Sequence, residues 1–206
     1  MDELKIIIPS RGRAECVNTL KIVKNPILVV PFLEYDKYKE YNPDVEIIQR
    51  PKDVMGISRV RQYIIETFEE PFMLDDDIEY VQKFYTEAGE PYKITDGEHV
   101  RKIIEHTKHI AEQLNSKLYG FTNTKNPLLF NCGAPFSFNK FICASMCGYL
   151  KGHNLKHNYD IISADDYWIN SLNIFKNRYS FRNDLYGFMS KNFVNNGGLQ
   201  DVRTIA

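Results

Sequence analysis

The first 78 residues alternate short apolar runs with helical patterns, and that alternation restricts the chain to very few architectures. Residues 4–8 form an apolar run stopped by Pro9, and a helical segment is expected after Arg13. Residues 27–30 read as a second buried strand, 34–41 as a short helix ended by Asn42-Pro43, and 45–48 as a third strand. Over residues 56–69, Ile57, Val60, Ile64 and Phe68 recur at helical spacing before Pro71 stops the pattern. The strand Phe72-Met73-Leu74 comes next. This order predicts an α/β fold with a mainly parallel central sheet, flanking helices on both faces and ligands beyond the carboxyl ends of the strands.

The second half reads differently. Residues 86–97 are polar and broken by glycine and proline, which predicts a loop. Val100, Ile103, Ile104, Thr107, Ile110, Ala111 and Leu114 then form one stripe of a long amphipathic helix capped by Asp96. Residues 118–121, 127–131, 137–149 and 178–189 suggest a smaller, mixed β region, and residues 163–175 are the one further helix. The glycine-rich residues 195–199 suit no regular element.

A length of 206 residues fits one well-packed domain. Since no apolar run approaches a membrane span and Met1-Asp2-Glu3 leads at once into a strand, no signal peptide and a cytoplasmic location are expected. Cys16, Cys132, Cys143 and Cys147 form no CxxC pair, so reduced thiols are expected. The interval between Cys143 and Cys147 matches one face of a helix, but without paired ligands it does not suggest zinc. A net charge of −1 supplies no global attraction to a polyanion, so nucleic acid would have to meet a local basic patch.

The densest chemistry lies at Asp75-Asp76-Asp77, where an apolar strand ends in three carboxylates. Two carboxylates about 4 Å apart repel by about 1 kcal/mol in water and about 4 kcal/mol at the effective dielectric of a protein surface. Such a turn either closes a strand in solvent or holds a hard cation such as Mg²⁺, Mn²⁺ or Ca²⁺. Pro9-Ser10-Arg11-Gly12-Arg13 falls where the first strand should pass into a helix, a place where a nucleotide docks. Arg61 shares the apolar stripe of the 56–69 helix, whereas Arg59 points away. A guanidinium there either pairs with a core carboxylate or faces a ligand phosphate. Ser163-Ala164-Asp165-Asp166 matches a capping box, and equally a carboxylate placed to take a proton from a hydroxyl. Lys151, His153, Lys156 and His157 make a basic loop able to meet phosphate, and the two histidines are also candidate metal ligands.

Together these elements resemble glycosyltransferases of the GT-A type, a Rossmann-like fold, and more narrowly the TET/JBP-associated glycosyltransferases found largely in bacteriophages. The residues that carry the resemblance are Ile8-Pro9-Ser10-Arg11-Gly12-Arg13, Gly56-Ile57 with Arg61-Gln62, Phe72 to Ile78, Ala164-Asp165-Asp166 and Asn196-Gly197-Gly198. Family members often carry Arg-Asn at Arg61-Gln62 and Glu-Asp at Asp165-Asp166. The resemblance implies a single domain over residues 1–206, with a nucleotide-sugar half (1–85) and an acceptor half (97–206). It implies that Pro9, Ser10, Arg11, Arg13, Arg61, Gln62, Asp75 and Asp76 bind the donor, expected to be a UDP-sugar. Asp75 and Asp77 would bind Mn²⁺ or Mg²⁺, and Asp165 or Asp166 would activate the acceptor. That acceptor would be a hydroxymethylated pyrimidine in DNA, such as hydroxymethylcytosine or hydroxymethyluracil, with Lys151, His153, Lys156 and His157 as DNA contacts.

Overall fold

The computed structural model describes residues 4–84, 90–124, 126–161 and 164–190. Ser163 and the Asn196-Gly197-Gly198 segment lie outside them. Four strands, β1 (Ile6–Pro9), β2 (Ile27–Pro31), β3 (Glu46–Arg50) and β4 (Phe72–Leu74), lie side by side in the order β3-β2-β1-β4, all parallel. Successive side chains of a strand face opposite ways. Ile6 and Ile8 of β1 accordingly join one core cluster and Ile7 the other. Tyr38 of helix α1 (Tyr35–Tyr41) and Val100, Ile103, Ile104 and Ala111 of α3 (Gly97–Gln113) cover the first face. Val60, Ile64 and Ile65 of α2 (Ile57–Thr67), with Ile169 of α4 (Asp165–Asn177), cover the second. Burying each such aliphatic side chain stabilises the fold by about 1.5–3 kcal/mol before entropy is counted.

The remaining strands extend the same sheet. β9 (Met146–Tyr149) pairs antiparallel with β4, and β7 (Leu118–Thr122) antiparallel with β9; β10 (Phe181–Ser190) then runs parallel to β7. β5 (Ile78–Lys83) and β6 (Tyr92–Ile94) complete the order, while β8 (Phe136–Ser137) pairs with β10 off the main path. The expected mainly parallel sheet is thus parallel in its N-terminal four strands and mixed beyond them. The mixed region is continuous with it, in one ten-stranded sheet. At Gly148 this sheet tolerates no side chain: a Cβ there would meet Tyr119 Cζ at 2.1 Å.

Several local expectations fail for identifiable reasons. No α-helix follows Arg13; a 3-10 turn at Asn18–Lys21 replaces it, so the loop after β1 has no helix N-terminus. Pro127, expected in a strand, instead opens a 3-10 turn at Pro127–Leu129 capped by the Asn126 side chain. β6 occupies part of the predicted 86–97 loop, and residues 138–145 separate β8 from β9 where one strand was expected. Cys147 lies in β9, so the two cysteines share no helix. Asp96 caps α3 as predicted, its Oδ1 accepting from His99 N at 2.7 Å. Among the described residues no helix is long and apolar enough to cross a membrane.

Candidate functional site

Because β1 and β4 are adjacent and parallel, with Ile6 opposite Phe72 and Ile7 opposite Met73, their carboxyl ends open onto one crevice. Extending that register places Ser10 opposite Asp76, and the side chains meet there. Ser10 Oγ donates to Asp76 Oδ2 at 2.5 Å, and Arg13 Nη1 donates to Asp76 Oδ1 at 2.5 Å. Ser10 Oγ also lies 2.7 Å from Tyr38 Oη, whose phenol burial pushes up to about 12. Asp76 and Ser10 are both buried, and this pair clasps the two loops together.

Thr19 shapes the acidic turn, a role that nothing in the sequence pattern announced. Fully buried, it donates from Oγ1 to Asp75 O at 2.6 Å and accepts from Ile78 N at 3.0 Å. With Asp76 turned inward, Asp75 and Asp77 are left toward the crevice, their side chains 38% and 19% exposed. Burial pushes the Asp77 carboxyl up to about 6, aided by the charges of Asp75 and Asp76. Asp75 is raised as well, first by burial and then by Asp76 and Asp165, against the pull of Arg61.

Among the described residues no group of three or more His, Cys, Asp or Glu side chains converges as a complete metal cage. The two raised carboxylates nevertheless fit Mg²⁺ or Mn²⁺, since Mg²⁺ is usually held by one or two carboxylates and completed by water and substrate phosphates. Arg61 at 3.5 Å from Asp75 and Arg13 at 4.0 Å from Asp77 compensate their charge only in part, and remaining negative charge is the feature such an ion requires.

Arg61 resolves its two alternatives in favour of core carboxylates. Gly56, at φ 85, starts α2, and the helix carries Arg61 into the second core face, where Nη1 donates to Asp165 Oδ1 at 2.7 Å. Its Nη2 lies 3.5 Å from Asp75 Oδ1. Burial disfavours the guanidinium charge, but Asp165 and Asp75 outweigh it and raise its pKa. Arg59 points away, as the spacing predicted, and stacks 4.5 Å over the Tyr159 ring.

Asp165 and Asp166 begin α4 and part company there. Ala164, at φ 62, takes the N-cap position in the left-handed region without a side-chain cap, so the predicted capping box is not the start of this helix. Asp165 turns inward, 2% exposed, with His157 Nδ1 3.1 Å from its Oδ2. That contact lacks hydrogen-bond alignment, and among the described residues neither atom has a hydrogen-bond partner. Burial pushes Asp165 up, yet Arg61 and His157 hold it down at about 2. Asp166 stays half-buried near the Cys143 thiol, whose Sγ is 3.8 Å from Oδ2. Burial raises that thiol, and the charges of Asp75 and Asp166 raise it further; Ser145, whose Oγ lies 3.0 Å from the thiol, accepts Asp75 N at 3.0 Å through its carbonyl and so links Cys143 to the acidic turn.

The basic loop divides in the same way. The His157 side chain is wholly buried and lowered by burial, and its backbone N–H donates to Gln62 Oε1 at 2.8 Å. Gln62 Nε2 donates to Glu66 at 2.6 Å. His157 and Gln62, expected at the DNA and at the donor, brace α2 against the loop. His153, also lowered by burial, accepts from Leu155 N through Nδ1. Lys151 pairs with Glu69 at 2.7 Å, and Lys156 remains exposed. Pro9 closes β1 and Arg11 is exposed on the loop beyond it.

A cavity of about 160 Å³ opens at the carboxyl end of β7, lined by Phe84, Thr122, Asn123, Phe130, Lys140, Arg182 and Asp184. Phe72 pairs with Gly148 and Gly148 with Tyr119, so β7 is level with β4 and Thr122 with Asp75. Two strand spacings separate them, about 10 Å. Lys140 and Arg182 both pair with Asp184, at 2.9 and 2.6 Å, leaving one positive charge in excess. A family model described as TET-Associated Glycosyltransferase matches residues 4–198. No curated protein matches the chain.

Proposed function

The chain belongs to the TET-associated glycosyltransferase family, and from that premise we propose that it moves a sugar from a nucleotide-sugar donor, expected to be a UDP-sugar, to a hydroxymethylated pyrimidine in DNA. The observation that carries this reading is the meeting of the Asp75–Asp77 turn with the β1 loop at one crevice, with the half-buried Asp166 linked to Asp75 through Cys143 and Ser145. The fold would be of the GT-A type, with donor contacts mostly from residues 1–85 and acceptor contacts mostly from 97–206.

Asp75 and Asp77 would hold Mg²⁺ or Mn²⁺. When bound, the ion neutralises charge growing on the departing diphosphate. Asp76 and Ser10 keep the turn and the β1 loop in register, and Arg61 fixes the position of Asp75. Asp165 is unsuited to proton abstraction: it is buried, already engaged by Arg61 and held near 2. Asp166 is therefore assigned as the base. The acceptor oxygen bonds to the anomeric carbon, the bond to the diphosphate breaks with its electron pair leaving on the diphosphate, and the hydroxyl proton passes to Asp166. The cavity beside Thr122 lies level with these groups, and its excess positive charge suits a DNA strand, whose hydroxymethylated base would have to leave the stack.

The test is incubation with a panel of UDP-sugars, Mn²⁺ and DNA containing hydroxymethylcytosine or hydroxymethyluracil, read by the mass of the DNA. A gain of one sugar is expected. Transfer to a glycan with no gain on any DNA would refute the acceptor, an outcome to which the net charge of −1 lends some weight. Release of pyrophosphate instead of a nucleoside diphosphate would refute the reaction.

A further inference from the structure

Arg50 stands apart from the other buried arginines. Arg61 pairs with Asp165, and Arg101 with Glu105 and the Leu4 carbonyl. Arg50 is 7% exposed, yet among the described residues it has neither a hydrogen-bond nor an ion-pair partner. None of its nitrogens is fully shut off from solvent, so this largely buried fork of five donors stays open to an acceptor. Burial lowers its pKa, and the charge of Arg11 lowers it further; Glu34, the carboxylate that opposes this, accepts Gly12 N at 2.6 Å. Arg50 closes β3 opposite Pro31, on the edge where the β1 loop and the acidic turn emerge, and Phe32, 44% exposed, follows Pro31.

Position decides which part of a donor reaches it. In the order β3-β2-β1-β4, Arg50 lies three strand spacings from Asp75, about 14 Å. A diphosphate held at Asp75 and Asp77 cannot also lie there, whereas the nucleobase, at the other end of the nucleotide, can. We propose that Arg50 is a specificity-determining residue whose donor-only fork accepts a keto base, uracil, thymine or guanine, and rejects the amino bases cytosine and adenine. Uracil and thymine present O4, and guanine O6, where cytosine and adenine carry an amino group that meets the guanidinium donor to donor. The assignment rests on the nucleotide-sugar reading above.

Titration calorimetry with UDP, GDP, CDP, ADP and inorganic pyrophosphate, each with Mn²⁺, tests it on the intact chain and on Arg50→Gln. The wild type should bind UDP or GDP at least about tenfold more tightly than CDP and ADP. Arg50→Gln, whose amide offers both donor and acceptor, should collapse that ratio, leave pyrophosphate binding unchanged and melt no lower than the wild type. Equal binding of all four nucleotides, an unchanged ratio in Arg50→Gln, or a loss of pyrophosphate affinity overturns the proposal while the glycosyltransferase reading stands. A wild type that binds no nucleotide overturns both. If Arg50→Gln fails to fold, Arg50 is structural and the proposal is likewise refuted; Arg50→Lys, which keeps the charge but loses the fork, should retain folding and blunt the discrimination.

Discussion

Asp165→Asn tests a structural carboxylate apart from the base proposed beside it, with almost no change of shape. In the folded protein Asp165 is held at about 2, against 3.8 for the free group, and the gap is worth about 2 kcal/mol at neutral pH. Removing one partner of a buried ion pair costs about 3–5 kcal/mol. Asp75 remains 3.5 Å from Arg61 and the new amide oxygen still accepts, so about 2–3 kcal/mol is expected. For a chain of this size that lowers Tm by about 5–10 °C. The folded value is depressed, so the contribution is whole above about pH 4, about half gone by pH 3, and lost as pH falls through 2. Urea melts of wild type and variant from pH 7 down to pH 2.5 measure it, with unchanged m values confirming a pure stability effect. A variant within about 0.5 kcal/mol of wild type at pH 7, or a gap that fails to shrink in acid, would refute the buried pair.

Asp166→Asn should cut turnover by about 10²–10⁴-fold, while its helix-terminal position limits the stability change to about 1 kcal/mol; equal loss of stability with Asp165→Asn would contradict the division of roles. Asp77→Asn should act in the opposite sense to Asp165→Asn. The folded pKa of about 6 is raised, so the stability its proton confers is full below about pH 4 and lost as pH rises through 6. The variant should therefore melt higher than the wild type at pH 8, by about 2 kcal/mol without metal, and converge with it at pH 4; Mn²⁺ should raise the wild-type Tm alone. Gly148→Ala should cost about 1–3 kcal/mol or prevent folding, because its Cβ would overlap the Tyr119 ring; a wild-type melting curve would show that β7 and β9 are spaced more loosely than described.

What the sequence disclosed followed from short-range pattern. The α2 stripe placed Arg61 inward and Arg59 outward, and Asp96 announced the start of α3, because helical spacing and capping are local rules. The four parallel strands were likewise readable from alternation. What remained hidden depends on partners far along the chain. Asp165 and Asp166 are neighbours of one chemistry, and only a guanidinium 104 residues away and the left-handed turn at Ala164 distinguish them. Ser10 and Asp76 look like ligand residues until the β1–β4 register joins them to each other. Arg50, at the end of a strand whose middle is apolar, carries no motif at all; its significance lies in the partner it lacks.

The shared guanidinium has a thermodynamic consequence. Arg61 answers two carboxylates, Asp75 at 3.5 Å on the donor side and Asp165 at 2.7 Å on the helix that carries Asp166. A cation at Asp75, as proposed, would weaken that carboxylate's hold on Arg61 and leave the guanidinium more fully to Asp165 at the start of α4. Linkage makes the effect reciprocal: whatever firms α4 prepares Asp75 for its cation by the same factor. On the proposed reading, a donor held at Asp75 and the base proposed at Asp166 would then be coupled through a single side chain.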